Sequence, residues 1–211
     1  MLGVEGGISI LGTSGVVEPM SESAIVATIE AELRQGRAEG AERVLLTPGN
    51  YGLDFLKESG IIAFSSNIVK YSNFTGEAID LAVTLGYREA LLVGHIGKLV
   101  KLAGGIMNTH SRMADCRAEL FCAHAALCGA DREICRQLID SATADACISV
   151  LDAAGLRAPV MDSLLAAMQR RLDHRAGESL RVGAVTFSNA YGLLGATETA
   201  RLLLRDWGAA L

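Results

Sequence analysis

The sequence predicts an α/β fold: a Rossmann-like, mostly parallel sheet of about five strands with flanking helices and a helical block between the fourth and last strands. Three observations lead there. Short apolar runs repeatedly stop at Gly-containing loops and resume as helices. A long segment then carries Ala, Leu, Ile, Met and Cys at helical spacing without a strand, and a last β-branched run follows it.

The first unit is Ile8 to Leu11, an apolar run with the length and branching of a buried strand, followed by a loop punctuated by Gly12 and Gly15. Pro19 suits a first helical turn, so the stretch from Gly6 to Glu22 places a loop at a helix N-terminus. It reads equally as a tight turn and as a ligand loop. Ala24, Ile25, Ile29 and Leu33 share a stripe of the next helix, which Gly36 and Gly40 are expected to end. Arg43 to Thr47 is the second strand, stopping at Pro48-Gly49-Asn50-Tyr51-Gly52 before a short helix. Ile68 to Tyr71 leads into Ser72-Asn73-Phe74-Thr75-Gly76 and a helix over Glu77 to Leu85, and Ala90 to Val93 ends at Gly94-His95-Ile96-Gly97-Lys98. In a doubly wound sheet all these loops fall on the edge where ligands bind. Residues 111–176 form the helical block, with Met161, Leu164, Leu165 and Met168 as core. Arg181 to Phe187 is the last strand, ending at Ser188-Asn189-Ala190-Tyr191-Gly192, and a helix from about Ala196 to Trp207 closes the chain.

The 211 residues, 50% of them hydrophobic, suffice for one well-buried domain over residues 1–211. A net charge of −5 argues against nucleic acid as the main partner. No run approaches the roughly 20 apolar residues of a membrane span, and no signal-peptide pattern is present, so the expected location is cytoplasmic and no membrane partner is expected. Cys116, Cys122, Cys128, Cys135 and Cys147 lack a C-x-x-C pair and read as reduced core thiols.

The densest polar run is His95 to Arg112. Lys98 and Lys101 share a helix face there, flanked by His95, His110 and Arg112, a cluster that suits a substrate with several carboxylates or else forms a solvated face. His95, on a strand-end loop, is the candidate for acid/base work or for a hydrogen bond to substrate. His95 and His110 with Asp115 lack diagnostic metal spacing, so no metal site is expected. No nucleophile elbow and no Cys beside an activating base are present, which disfavours covalent catalysis.

Taken together and in order, GGISILGTSGVVEPMSE, TPGNYG, VKYSNFTGEAIDLA, LLVGHIGKLVKLAGGIMNTHSRMADCRAE and VTFSNAYG resemble the cobalt-precorrin-5B C(1)-methyltransferase (CbiD) family of anaerobic cobalamin biosynthesis. The resemblance implies S-adenosylmethionine as methyl donor, a cobalt-bound tetrapyrrole as acceptor, and methylation at C-1 by in-line attack of an electron-rich ring carbon. Cobalt would enter only as part of the substrate. With that implication, Gly12, Thr13, Ser14, Gly15, Glu18, Gly49, Asn50, Ser72 and Asn73 become the donor-binding candidates. Lys98, Lys101, His110, Arg112, Ser188 and Asn189 become the acceptor-binding candidates, and His95 the catalytic one. The family's chain has a further N-terminal region, so the resemblance is to a C-terminal portion, and activity is expected to require that region as a partner. A homo-oligomer stays open. Two alternatives from other classes remain: a dinucleotide-binding oxidoreductase, disfavoured because no acidic residue ends Arg43 to Thr47, and a non-catalytic ligand-binding module.

Overall fold

The computed structural model describes residues 21–59 and 67–209. Four strands alternate with helices as the apolar pattern requires: α1 (Glu22–Ala38), β1 (Arg43–Thr47), α2 (Asn50–Glu58), β2 (Ile68–Lys70), α3 (Thr75–Thr84), β3 (Glu89–His95) and α4 (Ile96–Ala103) precede β4 (Arg181–Ser188). Between β3 and β4, the helices α5 (Arg117–Leu127), α6 (Arg132–Ile139), α7 (Ala144–Ala153) and α8 (Arg157–Ala176) follow α4, and β5 (Gly192–Ala196) and α9 (Glu198–Trp207) complete the described chain. The strand expected at Ile8 to Leu11 and the loop after it lie outside the described residues.

The strand order among the described residues is β2-β1-β3-β4-β5, parallel from β2 through β4 and antiparallel between β4 and β5. Side-chain alternation divides the core in two. Val44, Leu46, Ala90, Leu92, Val182 and Ala184 face α1, α3, α4 and the helical block, whereas Leu45, Leu91, Val93, Val185 and Phe187 face α2 and α9. The chain leaves β1 toward β2 on one side and returns to β3 on the other. The carboxyl ends of β1 and β3 therefore flank the point where the winding direction changes, the place where open α/β sheets form a crevice.

Two expectations are corrected. The stretch after Phe187 is not simply a loop: β4 continues to Ser188, turns, and returns as β5. Gly-Leu-Leu-Gly-Ala lacks the β-branching that would announce a strand, and Gly192 and Gly195 take φ of 66° and 148°. Helix α1 ends between Gly36 and Gly40 as expected, and Gly36 in its last turn is glycine for packing, since a Cβ there would meet the Asn67 side chain and stand 2.7 Å from the Tyr87 hydroxyl. Strand β3 runs past Val93 through His95, with no connecting residue before α4.

Gly183 on β4 faces α9, and a Cβ there would stand 2.6 Å from Ala200 Cα and 2.8 Å from Ala200 Cβ. Since backbone cannot swing aside as a flexible side chain can, Gly183→Ala should destabilise the fold by about 1–3 kcal/mol, read as a lowered midpoint in urea denaturation.

Candidate functional site

Four helices begin around one cavity of about 500 Å³ at the carboxyl ends of β1, β3 and β4. Pro48, Gly49 and Gly52 come from the β1–α2 junction, and His95, Gly97 and Lys98 from the β3–α4 junction. The helical block closes the opposite side with Arg117 at the start of α5 and Thr143, Ala144 and Asp145 at the start of α7, while Asn189 follows β4. Gly52 has a local reason to be glycine: a Cβ would run into the Thr47 hydroxyl and stand 2.8 Å from the Val93 carbonyl oxygen, so α2 can sit this close to the sheet only without a side chain.

His95 is the last residue of β3 and the N-cap of α4. Its Nδ1 accepts the Gly97 N–H at 3.0 Å. A nitrogen accepting that bond carries no proton, so the neutral ring holds its proton on Nε2. The imidazole packs edge-on to Phe187, centroids 5.8 Å apart, and Phe187 stacks on Phe55 at 4.4 Å. Burial depresses the His95 pKa below the ordinary imidazole value, and the Asp145 carboxylate opposes that shift. Asp145 Oδ1 stands 4.0 Å from Nε2 and accepts the Ser188 hydroxyl at 2.8 Å. Ser188 therefore serves Asp145 and does not hand its proton to His95.

The basic run divides by direction. Lys98 Nζ donates to the Ser72 carbonyl at 3.2 Å and to Asn73 Oδ1 at 2.9 Å while lining the cavity, and burial, with Lys101 nearby, lowers its pKa. Lys101 points inward: it is 2% exposed and donates to the Thr109 and Ala114 carbonyls at 3.1 and 2.8 Å, with Asp115 at 3.9 Å. Burial lowers its pKa, opposed by Asp115. The two lysines are three apart on α4 as expected, but only Lys98 lines the cavity, while Lys101 is enclosed and secures residues 109–115. His110 Nδ1 accepts the Arg112 N–H at 3.0 Å in an exposed turn, and neither residue lines the cavity.

Of the other sequence candidates, Gly49 and Asn189 line the cavity. Ser72 and Asn73 stand behind Lys98, Ser188 stands behind Asp145, and Asn50 turns outward to accept Lys70 Nζ at 2.9 Å. Gly12, Thr13, Ser14, Gly15 and Glu18 lie outside the described residues. Among the described residues no cluster of three or more His, Cys, Asp or Glu side chains is arranged to hold a metal, and no helix is long and apolar enough to cross a membrane.

Sequence reasoning missed Arg117 and Asp145. Arg117 donates to both Asp115 oxygens at 2.5 and 2.8 Å, which raises its own pKa and lowers that of Asp115. Thr143 caps α7 by accepting the Ala146 N–H at 3.1 Å. A Thr before a helical run is a readable start signal, but nothing in the periodicity says which helix start meets the sheet edge.

Residues 108–198 match the family model described as CbiD, C-terminal domain. The chain is similar to a curated cobalt-precorrin-5B C(1)-methyltransferase of Ruminiclostridium cellulolyticum, 48% identical over 189 residues, covering 89% of this chain and 49% of the relative. Relatives of the same name from Thermoanaerobacter sp. and Alkaliphilus metalliredigens are 46% and 38% identical, covering 74% and 96% of this chain and 42% and 53% of their own lengths. The chain thus spans about half the length of the curated relatives it matches. No solved structure matches it. The matched domain includes Arg117, Asp145 and Asn189 of the cavity wall, and over most of its length the chain is similar to these relatives of the CbiD family.

Proposed function

We propose that this chain binds S-adenosylmethionine and a cobalt-precorrin and takes part in methylation of the acceptor at C-1, the cobalt-precorrin-5B to 6A step of cobalamin biosynthesis. The observation that carries the reading is that the matched domain supplies one wall of a cavity at the switch point of the sheet. A volume of about 500 Å³ lies within the usual range for small-molecule sites. The residues present fit the donor: Gly49 leaves room for close approach, and His95 offers a neutral N–H. Lys98 and Arg117 provide positive potential for carboxylates despite the acidic whole.

S-adenosylmethionine supplies an activated methyl group. The protein's part is then to orient donor and acceptor and to exclude water, and orientation of this kind is worth up to roughly 7–11 kcal/mol of barrier. Lys98, at the cavity wall, holds a carboxylate arm of the acceptor. His95 acts as a hydrogen-bond donor and not as a base, because its one lone pair in the neutral ring already accepts the Gly97 N–H. The family's N-terminal region and a second copy of the chain remain candidate partners, and a cytoplasmic location suits the proposed pathway.

Calorimetric titration should show saturable binding of S-adenosylmethionine and S-adenosylhomocysteine and none of NAD(H); the reverse result would sink the reading. Lys98→Gln should weaken binding of a polycarboxylated porphyrin by about 1–2 kcal/mol while leaving S-adenosylhomocysteine binding nearly unchanged, and equal loss of both would show that the subsites are misassigned. A depressed His95 pKa means that the neutral, binding-competent ring is fully present above about pH 6.5 and is lost as the pH falls through the lower folded-state value. S-adenosylhomocysteine affinity should therefore be flat from pH 8 to about pH 6.5 and decline below it, a decline that His95→Asn should remove.

A further inference from the structure

Two polar atoms of the cavity wall are left with capacity to spare. His95 Nε2 carries the ring proton, and among the described residues no acceptor lies within hydrogen-bond distance, Asp145 Oδ1 at 4.0 Å being too far. Asp145 Oδ1 is engaged by the Ser188 hydroxyl, whereas Oδ2 accepts no hydrogen bond among the described residues. Both residues line the cavity from opposite sides, His95 from the β3–α4 junction and Asp145 from the first turn of α7.

Neither partner is loose. The Gly97 N–H fixes the imidazole on one side, and Phe187 packs against its ring. Asp145 is held by Ser188, itself 1% exposed and accepting the Ala190 N–H at 3.0 Å. The Nε2 donor and the Asp145 carboxylate, whose Ser188-bound Oδ1 lies 4.0 Å from it, set a donor beside an acceptor and favour ligand groups that can use both. An ammonium group can pair with Asp145 but leaves the His95 N–H without an acceptor, and a carboxylate can accept from His95 but faces a like charge on Asp145. A hydroxyl does both, accepting from Nε2 and donating to the carboxylate, and a vicinal diol can use both carboxylate oxygens.

We infer that His95 and Asp145 form a clamp for a hydroxyl-bearing sugar, the ribose of the nucleoside co-substrate, with the helical block contributing the acceptor half. This rests on the donor-binding reading above and adds to it a place and an orientation: the ribose at the seam between sheet edge and α7. The charged groups facing the pair are Lys98 on α4 and Arg117 on α5, both lining the same cavity, so carboxylates have other partners there.

The test is a thermodynamic cycle by calorimetry on the whole chain, using S-adenosylhomocysteine and its 2′,3′-dideoxy counterpart with the wild type and Asp145→Asn. The amide introduced by that substitution keeps an oxygen for the Ser188 hydroxyl, so the fold is preserved. Loss of a hydrogen bond to a charged group predicts that wild type binds the dideoxy compound about tenfold or more weakly, and that Asp145→Asn weakens S-adenosylhomocysteine similarly. The variant should not weaken the dideoxy compound further. Equal losses for both ligands on substitution, or wild-type indifference to the hydroxyls, overturn the clamp alone. Failure of wild type to bind S-adenosylhomocysteine at all overturns the donor-binding reading along with it.

Discussion

The site depends on one economy of chain: His95 ends β3 and caps α4 in the same residue. With no loop between strand and helix, the side chain has little freedom, and the Gly97 N–H that needs a cap is the donor that fixes the ring. The neighbouring glycines follow from the same constraint. Gly94 has Pro48 and Leu99 side chains 3.1 Å from where its Cβ would be, and at Gly97 a Cβ would approach His95 Nδ1 to 3.2 Å. The sequence Val-Gly-His-Ile-Gly-Lys is therefore a packing solution as well as part of the cavity wall. The position of the imidazole relative to the cavity is set by β3, the central parallel strand that pairs with both β1 and β4.

The other side of the cavity needs a rigid seat. Helix α8 packs on α4 and on β4, and Arg175 near its C-terminus donates to Asp80 of α3 at 2.6 and 2.9 Å. Lys101 secures residues 109–115 just before α5, so the position of Arg117 follows from an ammonium group buried among carbonyls. Taking that ammonium out of water is costly unless its hydrogen bonds are made, and the two carbonyls and the nearby Asp115 supply them. At the far end of the sheet Glu89 performs a similar service, accepting from Trp207 and Arg181 and pairing with Arg43, and so joins α9 to β1, β3 and β4.

Much of this was legible in the chain because local pattern and tertiary role agree there. Arg43–Thr47 is a strand at the bounds its apolar run implies, and Pro48-Gly49 and Gly94-His95 fall at strand ends beside a cavity. Local pattern failed where packing reversed its usual meaning. Gly36 reads as a stop signal but also lets Asn67 and Tyr87 approach the last turn of α1, and Lys101 reads as a surface charge but is enclosed. Strand β5 was hidden because its residues contribute little β propensity and gain their order from pairing with β4. Asp145 and Arg117 could not be found by spacing at all, since Asp145 lies 50 positions from His95 and only the fold brings the two together.

The boundaries of the matched domain bear on where function resides. Residues 108–198 contain α5 through α8, β4 and β5, and hence Arg117, Asp145, Ser188 and Asn189. Residues 48–52 and 95–98 come before it and carry the glycines, His95 and Lys98. Neither part holds a complete cavity: the domain lacks the fixed imidazole, and the preceding strands lack the carboxylate and the guanidinium. Because β3 and β4 pair over seven residues, the two parts are locked in register, and the gap between Nε2 and Asp145 is set by that pairing together with the seating of α7. A cavity assembled across such a seam is sensitive to the packing of the helical block even though most of that block does not line it. The helical elaboration thus forms a wall of the cavity in addition to supporting the sheet.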